Sequence, residues 1–147
     1  MAEKESVMEQ RLIDQLMTGE SQWTYRPDIT TEEVLWANFR QKLNQNNVGV
    51  LDGQAITDEE FHQICEFMLD QAKTPYRAAL WLAGENGEAV IPLDREDASK
   101  GTIHLMAVSS REIAGGRSSY EIIHQYVASK ADDEDRQRRF DVTLLIN

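Results

Sequence analysis

The chain has 147 residues, a formal net charge of −11, 41% hydrophobic and 28% charged side chains, and one cysteine, Cys65. This is an ordinary globular profile, long enough for a core of its own, and it excludes an intrachain disulfide framework. No apolar run approaches the roughly 20 residues that span a bilayer, and the opening Met-Ala-Glu-Lys-Glu lacks the basic and apolar regions of a secretory signal, so a cytoplasmic location is expected.

The acidity argues against a free-standing nucleic-acid binder, because Lys and Arg on phosphate supply most non-specific affinity. The excess of acid is larger in residues 1–73 than in 74–147, so that if nucleic acid is the partner, the C-terminal half is the better candidate to face it and most of the basic surface must lie elsewhere.

Residues 4–17 read as a helix with Met8, Leu12 and Leu16 on one stripe, Ile13 and Met17 beside it, and Gly19 as its stop. Trp23 and Tyr25 alternate in a short extended piece that Pro27 keeps from becoming helix. A second helix opens at Thr30 or Thr31, where Thr30 and Glu33 have the spacing of a capping box. It continues through Leu35, Phe39 and Leu43 and frays at Asn46-Asn47.

The third helix, opened by Thr57-Asp58-Glu59-Glu60, has the fullest apolar face: Phe61, Ile64, Cys65, Met68 and Leu69. Pro75 opens a fourth over Tyr76–Ala83, stopped by Gly84. Strands are expected over Glu88–Leu93 and Thr102–Val108, joined by the polar segment 94–101, and Gly115-Gly116 marks a turn.

A further helix is expected from Ser118 or Ser119, with Tyr120, Ile123 and Val127 inward. After the charged, mobile stretch 131–138 the chain closes on Val142–Ile146, a β-branched run that suits a strand buried on both faces. The fold class expected is therefore α/β (α+β), with a helical part over 1–84 and a mixed sheet over 85–147.

Most candidate chemistry has a plain reading. Cys65 falls on an apolar helix face, as core cysteines do. His62, His104 and His124 are scattered, without zinc-site spacing. No Gly-x-x-x-x-Gly-Lys-Ser/Thr provides a phosphate loop. The run Asp132–Asp135 lacks the alternating ligand spacing of an EF-hand.

Asp141 is different: it is one acid opening an apolar strand, and a lone buried carboxylate is costly unless paired or metal-bound. A salt bridge to a neighbouring arginine would account for it. So would a role in holding a divalent cation, since magnesium prefers hard oxygen ligands and takes few protein carboxylates.

Ile13-Asp14-Gln15-Leu16, Glu20 to Asp28, Leu82 to Gly87, Tyr120-Glu121-Ile122-Ile123 and Arg138 to Asn147 resemble, in order, the N-terminal region of the restriction (R) subunit of type I restriction enzymes. The resemblance implies the incomplete core of a PD-(D/E)xK nuclease domain, in which Asp141 is the first catalytic acid and a Mg2+ ligand. Phe140 stands where the motif has proline. The family's Glu-x-Lys on the next strand and its later Gln-x-x-x-Tyr are not in this sequence, so the chain is expected to be an N-terminal piece, inactive alone and prone to self-association at its last strand.

The resemblance also implies ATP-using motor domains elsewhere in the parent, and double-stranded DNA with modification and specificity subunits as partners. Arg136, Arg138 and Arg139 could touch phosphate or neutralise Asp132–Asp135. A different reading of the same acidity is a non-enzymatic module that docks on a partner protein.

Overall fold

The computed structural model describes residues 2–20, 22–84, 86–114, 120–129 and 137–146, excluding the side chains of 2–4, 114, 123–129 and 137–143. The chain divides into two compact units: Met1–Ala37 with Gly116–Ile146, and Asn38–Gly115 with Asn147. The described elements are mixed α and β, with five α-helices and two small sheets. No described helix is long and apolar enough to cross a membrane.

In the first unit, helix α1 (Ala2–Thr18) leads through a short turn to strand β1 (Thr24–Tyr25). Ile13 is fully buried and Leu16 half-buried, while Met8, Leu12 and Met17 are exposed. The inward stripe is thus rotated from the expected one, toward Glu9, Ile13 and Leu16. The Leu16 carbonyl accepts from the Trp23 amide (3.1 Å), which ties the chain after the helix back to its last turn.

Helix α2 (Glu32–Asn46) starts in this unit, and the unit boundary falls within it. Its first turn is capped by the Thr31 hydroxyl, which accepts from the Val34 amide (3.3 Å). The N3 residue is therefore a valine, which cannot return a side-chain bond, and the capping box expected from Thr30 and Glu33 is not the one the helix uses.

The unit's sheet has the order β1-β4-β5, with β4 (Tyr120–Ser129) parallel to β1 and antiparallel to β5 (Gln137–Ile146). The helix expected beyond Ser118 is therefore a strand. Tyr120, Ile123 and Val127 fit a helical stripe, but the segment is rich in aromatic and β-branched residues, and β1 and β5 supply its ladder partners. The capping serines lie outside the described residues, as do residues 131–136 of the stretch 131–138 expected to be mobile, while its last two residues, Gln137 and Arg138, open β5.

The closing strand starts earlier than expected and places Asp141 in its middle. It is also not buried on both faces: Leu144 is 46% and Ile146 37% exposed, while Leu145 packs with Val34 and Leu35 around the buried Ile29. Trp23 and Tyr120 meet edge to face at 5.1 Å.

The second unit holds α3 (Asp58–Gln71), α4 (Pro75–Ala83), β2 (Glu88–Asp94), a 3₁₀ turn (Ala98–Lys100), β3 (Thr102–Ser109) and α5 (Ser110–Ala114). The last of these, a five-residue piece of little more than one turn, is not evident in the sequence. Strands β2 and β3 form an antiparallel hairpin in which Ile91 faces Leu105 and Leu93 faces Ile103, with a bulge between Ala89 and Val90.

Alternation along the hairpin sends Ile91, Leu93, Leu105 and Ala107 into a core closed by Leu43, Leu51, Ile56 and Ile64. Phe61, Phe67 and Met68 of α3 pack on it. Leu69 is 62% exposed, so the inward face of α3 turns toward Glu60, Ile64 and Phe67 and away from the Leu69 side. Cys65 is only half-buried at its margin.

Thr57 and Glu60 form the expected capping box in full. Thr74 caps α4 ahead of Pro75, and Gly84 ends it at φ 57°, where a Cβ would lie 1.9 Å from the Glu88 carbonyl oxygen. Only glycine fits there.

Asn47, expected to fray α2, is buried and structural. Its side-chain amide donates to the carbonyls of Leu43 (2.9 Å) and Met106 (3.0 Å), and its oxygen accepts from the Met106 amide (2.8 Å). It thereby occupies the outer backbone groups of β3 as a neighbouring strand would.

Candidate functional site

Asp141 sits near the middle of β5, between Phe140, paired with Tyr126, and Val142, paired with His124. Arg138 and Arg139 lie on the same strand opposite Ala128 and Val127. Arg136 and Asp132–Asp135 fall outside the described residues. The side chains of Asp141, Arg138, Arg139 and His124 are likewise outside the description, so their partners are not assigned.

Further along the same sheet a charged cluster is fully described. Glu121 of β4 is 3% exposed, in register with Thr24 of β1 on one side and Leu145 of β5 on the other. Arg26 follows β1 directly and donates its amide to the Ile122 carbonyl (2.9 Å), extending the parallel pairing by one step. That step brings its guanidinium to Glu121, to which Nη1 donates. Nε and Nη2 form a fork on Asp28, at 3.0 and 2.8 Å.

The Arg26 pKa is raised, chiefly by the Asp28 hydrogen bonds, against a lowering by burial and with help from Glu121. Conversely, the Arg26 fork holds Asp28 below the usual carboxylate range. Glu121 is thus a buried carboxylate in a pairing role. It lies four register positions from Asp141, on the order of 14 Å along the strand, too far to share an ion with it directly.

The second unit carries a matching pair. Glu60 is 1% exposed, and its Oε1 accepts from the Thr57 amide (2.9 Å) and Oε2 from the Glu96 amide (3.1 Å). Nε of Arg95, whose side chain is 5% exposed, lies 2.9 Å from the same Oε2. Burial works to raise the Glu60 pKa, but the Thr57 and Glu96 amides and the Arg95 charge outweigh it and bring it below the usual range.

Neither buried acid was singled out from the sequence. Tyr-Glu-Ile-Ile offered a faint signal for Glu121, an acid inside an apolar run. Arg95, in a segment read as a polar connector, offered none.

Of the other candidates, the Cys65 thiol is pushed up by burial, which disfavours the thiolate. His62 pairs with Glu66 at 3.2 Å on the surface, and His104 is exposed on β3. Among the described residues no three His, Cys, Asp or Glu side chains are grouped as metal ligands.

Comparison with known proteins gives these elements a family. The chain is 29% identical over 119 residues to the type I restriction enzyme SsaAORF53P endonuclease subunit of Staphylococcus saprophyticus, covering 81% of this chain and 11% of that protein. It is 28% identical over 140 residues to the SauCOLORF180P and SauMRSORF196P endonuclease subunits of two Staphylococcus aureus strains, covering 95% of this chain and 14% of each. The chain therefore spans between a tenth and a seventh of the length of these relatives. The family model for the type I restriction enzyme R protein N terminus matches residues 2–147, and the chain belongs to that family.

Proposed function

We propose that this chain is the N-terminal part of the DNA-cleaving R subunit of an ATP-dependent type I restriction system, with Asp141 the first acid of a PD-(D/E)xK nuclease site. The observation that carries the reading is the family match over residues 2–147, together with an aspartate in the middle of a strand paired along its length with β4. A strand gives a carboxylate a fixed position, which a metal-dependent nuclease needs. The whole would form a single nuclease domain.

Asp141 offers the hard oxygen donor that magnesium favours. Magnesium, when bound, supplies charge stabilisation at the scissile phosphate and an activated water. A second carboxylate is required, and Glu121 does not fit that need, because Arg26 engages it and its register position is remote. The residues after Asp141, Val-Thr-Leu-Leu-Ile-Asn, include neither acid nor lysine. The reading therefore assigns the Glu-x-Lys pair to the parent subunit and makes the 147 residues inactive by themselves.

Arg136, Arg138 and Arg139 are the candidates for phosphate contact, while the net charge of −11 leaves most of the DNA grip to other parts of the assembly. Modification and specificity subunits, motor domains that use ATP, and a cytoplasmic setting complete the proposal.

Two measurements test it. In the R subunit, Asp141→Ala should abolish cutting while DNA-stimulated ATP hydrolysis persists, and retained cutting would overturn the assignment of Asp141. The isolated chain with magnesium and plasmid DNA should leave the plasmid intact, whereas metal-dependent cleavage would show a site complete without Glu-x-Lys.

A further inference from the structure

The second unit contains a cavity of about 220 Å³ lined by Val50, Leu51, Asp52, Arg95, Lys100 and Ile103. We infer that this cavity is a binding site for a phosphate group, free or at the end of an ester, held by Arg95 and Lys100 over an apolar floor of Leu51 and Ile103. It lies within the second unit and involves none of the residues assigned to DNA cleavage.

Arg95 is the first reason. Its Nη2 donates to the Gln54 carbonyl at 3.3 Å, a long bond, and its Nη1 has no protein acceptor among the described residues. Nε is close to Glu60 Oε2 but off the N–H axis, so that contact is electrostatic and leaves Nε without an aligned acceptor as well. Glu60 cannot turn to serve these donors, because both its oxygens already accept backbone amides. Buried donors without acceptors are costly. A small rotation of the guanidinium toward the cavity exchanges an unmet donor for a charge-assisted bond to an oxyanion, which a planar fork suits.

Lys100 supplies the second cation. Its side chain is 22% exposed and its Nζ reaches Asp52 at 3.3 Å, whose own side chain is 84% exposed. A pair with one partner in water is weak and exchangeable. Of the other nearby acids, Asp97 accepts from the Ser99 amide and hydroxyl and also feels the charges of Lys100 and Arg95, while Asp94 accepts from the Thr102 hydroxyl. Among the described residues Asp52 is the acid in direct contact with Lys100, held there by a loose surface contact that an incoming oxyanion can displace.

The test is an NMR titration of the 147-residue chain with inorganic phosphate, against sodium chloride at matched ionic strength. Saturable shifts at Val50–Asp52 and Arg95–Ile103 are expected. Lys100→Ala should weaken binding by roughly tenfold, the loss of one charge-assisted bond. Arg95→Lys, which keeps a charge against Glu60 but removes the fork, should weaken it similarly. Asp52→Asn should strengthen it, a change of sign that a merely structural role would not give.

A 5′-phosphorylated dinucleotide compared with its unphosphorylated form separates the sources: tighter binding of the phosphorylated form identifies a nucleotide end, and equal binding of inorganic phosphate identifies the free ion. Shifts no different from those in chloride, or binding indifferent to Lys100→Ala, would overturn the inference.

Discussion

Among the described residues, each unit of the molecule buries one glutamate and answers it with one arginine, and the two solutions are opposite. In the second unit Glu60 is over-served, by two backbone amides and Arg95, while Arg95 is under-served. In the first unit Arg26 is shared by two acids, buried Glu121 and exposed Asp28, and its own side chain is 24% exposed. Removing one member of a buried pair is costly mainly because the other is left charged and unpaired. The comparison therefore predicts that the pair closed to water on both sides is the more fragile, although each unit buries its carboxylate almost completely.

The largest effect should come from Glu60→Ala. It removes the carboxylate paired with buried Arg95 and opens the capping box of α3, for a loss of about 3–5 kcal/mol. Hydrogen exchange should register the loss in α3 and β2, where the core of the second unit is built. Glu60→Gln, which keeps an acceptor for the Thr57 amide, should cost less.

The same residue sets a pH dependence. Its folded pKa lies below the usual range despite burial, because the two amides and Arg95 favour the ionised form. The folded state thus binds its proton less readily than the unfolded chain does. The stabilisation is present above the unfolded glutamate pKa and is lost as pH falls through the lower, folded value. Urea unfolding followed down from neutral pH should show this loss in the parent chain and a flatter profile in Glu60→Gln.

What could be read from the sequence follows the range of the forces involved. Thr57 with Glu60, and Pro75 with Gly84, are local signals whose partners lie within a few residues, and the structure uses them as expected. Segment 120–129 was misread because Tyr120, Ile123 and Val127 satisfy a helical spacing; its identity as a strand depends on β1 and β5, of which β1 is nearly a hundred residues away. The rotation of α1 toward Ile13 and of α3 away from Leu69 likewise depends on what packs against them. An acid opening the apolar run Val142–Ile146 is legible as an anomaly, and resemblance supplies its proposed role. Glu60 was legible as a helix cap, and nothing local indicated that it would be buried against Arg95, 35 positions on.

Arg26→Ala sharpens the comparison from the first unit. It removes the guanidinium that donates to buried Glu121, and because that side chain is a quarter exposed, water can enter where it was and partly solvate the acid. The expected loss is about 1–3 kcal/mol, the range for removing one charge-assisted bond to a buried group, and smaller than that of Glu60→Ala. A loss equal to it would show that exposure of the arginine does not decide the difference.

Asp28→Asn should have the smallest effect. Asp28 is exposed, and its lowered pKa reports the Arg26 fork acting on a carboxylate that water would solvate equally well. The urea midpoint of Asp28→Asn should stay close to that of the parent, and in the Arg26→Ala background the same substitution should change nothing further. If Asp28→Asn instead destabilises the chain as much as Arg26→Ala does, the fork is what aims Arg26 at Glu121. The two acids then act as one three-membered cluster, and the contrast between the units lies in how each arginine is held, with exposure secondary.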